Sequence, residues 1–187
     1  MEYDNHVEIL TMGGTIDKDY PRVNSGYAFE FGEASAASRI LQMHPNLGLT
    51  YNVTSICKKD SLEIEDHDRL ALLNEISRII ERNNSEISRR RTQIIITHGT
   101  DTMIETAKFI KERLEKDAGD KMPISIAFTG ATKPERFIDS DARFNLGSAI
   151  SVTSQNIEGF SVLICMNGNV APADKCARLE NGVFYRM

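Results

Sequence analysis

Three polar clusters each follow an apolar run. They are Gly13-Gly14-Thr15-Ile16-Asp17, His98-Gly99-Thr100-Asp101-Thr102 and Thr129-Gly130-Ala131-Thr132-Lys133-Pro134. A fourth, Lys59-Asp60-Ser61, lies between the first two. Each has a plain reading when taken alone: Gly13-Gly14 makes a tight turn, Asp60 and Ser61 are turn residues, and Thr100, Asp101 and Thr102 are good helix starters. Together they supply hydroxyls and carboxylates beside glycines that let a backbone approach a ligand closely. A threonine hydroxyl is a poor nucleophile near neutral pH and needs a base or a cationic neighbour. A second threonine beside an aspartate could relay the proton, with a lysine as base. Backbone amides at a Gly-rich turn can stabilise an oxyanion. The combination points to acyl transfer from an amide or ester.

Other chemistries fit less well. The Gly-x-Gly-x-x-Gly spacing of a dinucleotide site is absent, and no Gly-Lys-Ser/Thr follows the glycines. The histidines lack metal-ligand spacing, so His98 reads as a strand-end structural residue. Neither a metal nor an organic cofactor is expected. A net charge of −5 argues against a general nucleic-acid binder, and Ser88-Arg89-Arg90-Arg91 reads as a solvated loop. Three cysteines, Cys57, Cys165 and Cys176, show no spacing motif and suit reduced thiols. No apolar stretch approaches the ~20 residues of a membrane span. The opening "MEYDNHVEIL" has neither a basic region nor a long apolar run, so no signal peptide is expected and a cytoplasmic location is.

The elements that must position these clusters can be read from hydrophobic pattern. Strands are predicted at Val7 to Met12, Leu49 to Ile56, Gln93 to Thr97, Ile124 to Thr129 and Phe160 to Met166. Several are almost continuously apolar, as parallel strands covered on both faces are. Helices are predicted at Gly32 to Met43, Asp66 to Arg82, Thr102 to Lys116 and Asp141 to Thr153. Leu70, Leu73, Ile76 and Ile80 mark one face of the second helix; Met103, Ala107, Ile110 and Leu114 mark one face of the third. Thr102 and Glu105 fit a capping box. Alternating strands and helices predict a doubly wound α/β sandwich with a mainly parallel sheet of about five strands. Ligands of such sheets bind beyond the carboxyl ends of the strands, where all four clusters fall. The long connection from Asp17 to Phe31 reads as a lid.

The stretches "ILTMGGTID", "IIITHGTDTMIETAKFI" and "IAFTGATKPERFIDSDARFNLGSAI" resemble the bacterial-type L-asparaginase family. The His-Gly-Thr-Asp-Thr signature is complete. In the Thr-Gly-Gly-Thr-Ile signature, Met12 replaces the leading threonine. The third stretch resembles the family's Gly-Ala-Met-Arg-Pro and Ser-Asp-Gly…Asn-Leu segments, with Ala142 at the glycine. The resemblance implies a Rossmann/flavodoxin-like N-terminal domain, with Thr15 as nucleophile and Thr100 and Asp101 as the second threonine and aspartate. Asp101 would also hold a substrate α-amino group. Asp60-Ser61 is similar to the segment whose serine grips the substrate carboxylate. Gly14, Gly99 and Ala131 match positions where backbone approaches the ligand. A loop tyrosine near the nucleophile falls on Tyr20 or Tyr27. The family's catalytic lysine falls on Arg178, with Lys175 three residues earlier. An arginine stays protonated and cannot act as a base.

The family's usual chain is about twice as long, and its C-terminal domain helps complete a neighbouring active site. The resemblance spans residues 1–187 as a single N-terminal-type domain, with that second domain expected to be absent. It implies hydrolysis of L-asparagine or a related small ω-amide. The alternatives are a catalytically silent amino-acid-binding or assembly module and an ammonia-releasing subunit of an amidotransferase. It also implies a homodimer or homotetramer, to which the partly apolar tail "LENGVFYRM" would contribute. No nucleic-acid or membrane partner is expected.

Overall fold

The computed structural model describes residues 5–20, 29–85, 91–118, 123–155 and 159–187. Strand β1 spans His6–Gly13, and a short 3-10 turn over Thr15–Asp17 leads into β2, Lys18–Asp19, and β3, Glu30–Phe31. Helix α1 (Ala36–Gln42), β4 (Thr50–Lys59), a 3-10 turn at Ser61–Glu63, α2 (Asp66–Ser85), β5 (Thr92–Thr97) and α3 (Met103–Ala118) follow. Then come β6 (Ile124–Thr129), α4 (Ala142–Ser154), β7 (Phe160–Met166), β8 (Asn169–Pro172), a 3-10 turn at Ala173–Lys175, β9 (Cys176–Arg178) and β10 (Phe184–Arg186).

The central sheet has the order β4-β1-β5-β6-β7-β8. Its first five strands pair in parallel and are the five that the apolar runs predict. Every residue of β5 and β6 is buried, as continuous Ile-rich runs require of strands covered on both faces. One apolar layer joins α2 and α3 to the sheet, and the other joins α1 and α4. The predicted face of α3 is correct: Met103, Ala107, Ile110 and Leu114 are all buried. In α2 the face is rotated. Leu72, Ile76, Ile79 and Ile80 are buried, whereas Leu70 is 45% exposed. Both sets have helical spacing, and only packing against the sheet selects between them.

The sixth strand is antiparallel and closes the sheet edge. Its hairpin turns through Asn167-Gly168, both at positive φ, with Met166 opposite Asn169. This two-residue Asn-Gly turn matches the right-handed twist of the strands it joins. The tail does not hang free. Phe184 is buried, β10 pairs antiparallel with β9, and the Phe184 amide donates to Asn167 Oδ1 at 3.0 Å. Leu179, Val183, Tyr185 and Met187 remain exposed. β2 and β3 also pair antiparallel, forming the base of the predicted lid. The register aligns Thr11 with Thr97 and Thr97 with Thr129, so the turns after β1, β5 and β6 leave one edge together.

Candidate active site

Two glycines bring the first two turns into contact. Gly14 has φ +82, and a Cβ there would stand 2.3 Å from the Gly99 amide nitrogen. A Cβ on Gly99 would in turn stand 2.5 Å from Ser61 Cβ. Only residues without a side chain allow three backbone segments to stack this closely. The Gly14 amide donates to Lys59 O at 2.9 Å, tying the turn after β1 to the segment after β4. Thr15 and Thr100 each follow one of the touching glycines and are both half-buried. Among the described residues, no hydrogen bond engages either hydroxyl. Because the Gly14 amide is committed to Lys59, it is not a free oxyanion donor.

Asp101 is the hub of the site. Ser61 Oγ donates to Asp101 Oδ2 at 3.1 Å, and the Asp101 amide returns a contact to Ser61 Oγ at 3.3 Å. Arg178 Nη1 donates to Asp101 Oδ1 at 2.7 Å. Ser61 itself is 1% exposed, so its hydroxyl faces Asp101 and not solvent. Thr102 does not form the expected reciprocal cap: its hydroxyl donates to Ser61 O at 2.7 Å, while Glu105 pairs with Arg69 at 2.8 Å. Thr102 thus holds the Ser61 segment against the start of α3.

Of the two cations that sequence places near the site, Arg178 reaches it. β9 carries Arg178 to Asp101, and its guanidinium lies over the Phe184 ring at 5.9 Å. Lys175 is exposed on the turn packed against α3, where its carbonyl accepts the Met187 amide. Tyr20 is exposed and its ring packs with Phe29 and Phe137, at centroid distances of 5.9 and 6.2 Å. Tyr27 lies outside the described residues. Ala131 is buried at the end of β6. Asp60 starts the 3-10 turn that carries Ser61, and its carboxylate pairs with Lys18 at 2.6 Å.

Three residues to which sequence alone assigns no role position the site. Asn145 is fully buried. It donates to Gly130 O at 3.0 Å and accepts from the Asn167 amide at 3.1 Å, joining the β6 turn to the hairpin that precedes Arg178. Asp141 collects the Thr132 amide at 2.9 Å and also meets Asn145. Lys18 is the third, and the only signal for it is its place three residues after Thr15.

Two buried ionisable groups flank the turns. Burial pushes the Asp17 carboxyl up to about 6, against the opposing pull of the Ala36 amide, Arg39 and Lys58. The Ala36 amide donates to Asp17 Oδ1 at 2.6 Å, so this carboxyl anchors α1 to the turn of Thr15. Burial pushes His98 down to about 4, leaving a neutral ring whose Nδ1 meets Gly99 O at 2.8 Å. That fits the structural role its position suggests. Among the described residues, no group of three His, Cys, Asp or Glu side chains converges as a metal would require.

Comparison with known proteins identifies the family. Residues 6–184 match the model of the asparaginase N-terminal domain. The chain is 25% identical over 172 residues to a glutaminase-asparaginase of Acinetobacter glutaminasificans, across 90% of this chain and 48% of that protein. It is 26% identical over 184 residues to a glutamyl-tRNA(Gln) amidotransferase subunit of Archaeoglobus fulgidus, across 96% of this chain and 38% of that one. The thermostable L-asparaginase of Thermococcus kodakarensis shares the fold, with a TM-score of 0.74 at 19% identity, over 97% of this chain and 51% of the other. The chain therefore spans about half or less of the length of these relatives.

Proposed function

This chain belongs to the asparaginase family through its N-terminal domain, and we propose that it hydrolyses the side-chain amide of L-asparagine, or a related small ω-amide, to the acid and ammonia. The contact of Gly14 with Gly99 carries this reading, because Thr15 and Thr100 each follow one of the two touching glycines, with Asp101 next in the chain. Thr15 Oγ attacks the amide carbon, and its proton passes to the Thr100–Asp101 side of the site. Arg178 stays protonated and balances the charge that gathers there. The carbon–nitrogen bond then breaks, ammonia leaves with a proton, and an acyl ester remains on Thr15. Water hydrolyses the ester and restores the hydroxyl. Asp101 receives the substrate ammonium, and the Ala131 segment lines the ligand. No metal or organic cofactor enters this scheme. The protein acts in the cytoplasm, as a homodimer or homotetramer, without nucleic acid or membrane.

Arg178 at the family's lysine position favours a second reading, a module that binds an amino acid without turning it over. The likeness to an amidotransferase subunit favours a third, in which released ammonia passes to a partner. Ammonia release from L-asparagine and L-glutamine, measured together with calorimetry of L-aspartate, separates them. Release by the purified chain supports hydrolysis. Aspartate binding without release supports the silent module, and release that begins only when a copurifying partner is added supports the third.

A further inference from the structure

Ser61, the residue whose family counterpart grips a carboxylate, is closed on Asp101 and almost fully buried. With the Ser61 hydroxyl engaged, a second positive group beside this segment can take a carboxylate that enters beyond the strand ends. Among the described residues, Lys18 is placed for this. It follows the 3-10 turn of Thr15–Asp17, and its backbone amide donates to Thr15 O. Positions i and i+3 of such a turn stack one above the other, so Lys18 leaves the backbone one turn beyond Thr15. Its side chain then crosses to the segment after β4, where Nζ lies 2.6 Å from Asp60 Oδ2. Asp60 stands between two site contacts: Lys59, whose carbonyl holds the Gly14 amide, and Ser61, which holds Asp101. The ammonium thus bridges the nucleophile turn and the carboxylate-facing segment.

Asp60 uses one of the three N–H donors of Lys18, leaving two for a ligand. Other cations at this edge are already paired: Arg178 with Asp101, Lys59 with Asp68 and Lys133 with Asp139. From this juxtaposition we infer that Lys18 binds the α-carboxylate of the substrate directly, with Asp60 as its positioning residue. Asp101 and Lys18 together then read an amino-acid zwitterion, one at each charge. This inference rests on the hydrolase reading and names its substrate class as ω-amides that bear a free carboxylate.

The test compares Lys18→Met and Lys18→Arg with the unmodified chain, using L-asparagine and 3-aminopropanamide, which keeps the amide and amine but lacks the carboxylate. Loss of one charge-assisted contact is expected to raise KM for asparagine about 10- to 100-fold in Lys18→Met, with kcat within about threefold. Lys18→Arg should recover most of that loss, and the loss with 3-aminopropanamide should be much smaller than the loss with asparagine. A fall in kcat at constant KM, or an equal loss on both compounds, would overturn the inference. If the unmodified chain releases no ammonia, calorimetry with L-aspartate decides. Binding about 10- to 100-fold weaker in Lys18→Met sustains the carboxylate site while refuting hydrolysis. Equal binding by both proteins, or none by either, overturns it.

Discussion

Arg178 Nη1 lies 2.7 Å from Asp101 Oδ1, joining the last hairpin of the chain to the turn after β5. Of the two tail cations, Arg178 is the one that reaches Asp101. An arginine holds its proton at any working pH. It can steady a carboxylate and a developing alkoxide, but it cannot accept the nucleophile's proton. Arg178→Met is expected to lower kcat/KM for asparagine about 10- to 100-fold, the worth of a charged hydrogen bond. Arg178→Lys restores the family's residue type and is expected to keep or exceed the original rate. Steady-state ammonia release from the three proteins checks both outcomes.

The Gly14–Gly99 contact leaves no room for a methyl group. Gly14→Ala would place Cβ 2.3 Å from a backbone nitrogen and hold alanine at φ +82. Steric overlap and backbone strain act together, so a loss of more than about 2 kcal/mol is expected in urea denaturation. Gly48→Ala is the control, because nothing lies within 4 Å of its Cβ position. That change is expected to be nearly neutral.

Asp17 and His98 give the stability an unusual pH dependence. Asp17 has a folded value near 6 against an ordinary 3.8. Between those values the folded chain holds a proton that the unfolded chain has lost. Its contribution therefore falls as pH rises through this window, and the cost is complete above about 6. His98 has a folded value near 4 against 6.5, so its contribution runs the other way, present above 6.5 and lost as pH falls. The two oppose each other between pH 4 and 6. Asp17→Asn keeps an acceptor for the Ala36 amide and removes the first effect. Relative to the unmodified chain, it is expected to gain about 3 kcal/mol between pH 3.5 and 7 in urea denaturation. A difference independent of pH would contradict the burial of a titrating carboxyl.

Asn145 tests whether the β6 turn and the final hairpin are coupled. Asn145→Ala would strand the Gly130 carbonyl and the Asn167 amide. Each buried polar group left unpaired costs about 1–3 kcal/mol. Activity is expected to fall with it, and in Asn145→Asp as well, because that change keeps the acceptor for the Asn167 amide but sets a second carboxylate against Asp141 Oδ2 and the Gly130 carbonyl. Denaturation and ammonia release, measured on both variants, separate stability from positioning.

Much of this fold is legible in periodicity, because the parallel strands are long apolar runs and α3 has one unambiguous face. The short pieces are harder. Three-residue strands such as β9 and β10 carry no periodic signal and form only because Phe184 finds the core and Asn167 holds its amide. The Asn167-Gly168 turn is a readable hairpin signal, and it would have placed β8 antiparallel. In the candidate site, motif spacing points to Thr15, Thr100, Asp101 and Ser61, since each follows a strand closely. It cannot choose between Lys175 and Arg178, because that choice depends on where the hairpin crosses the sheet edge. Nor can it find Lys18, whose proposed role depends on a side chain crossing to Asp60 from a different turn. The α2 face is misjudged for the same reason: Leu70 and Leu72 are equally apolar, and only the neighbouring layer distinguishes them.

Covalent catalysis by Thr15 is the step on which the proposed hydrolysis turns. Its most direct test is to mix the protein with L-asparagine, quench in acid within one turnover, and map the modified peptide by mass spectrometry. Attack by Thr15 leaves an aspartyl ester on the peptide that contains it, absent in Thr15→Ala along with ammonia release. Ammonia release at the original rate by Thr15→Ala, or an adduct confined to another residue, would contradict it.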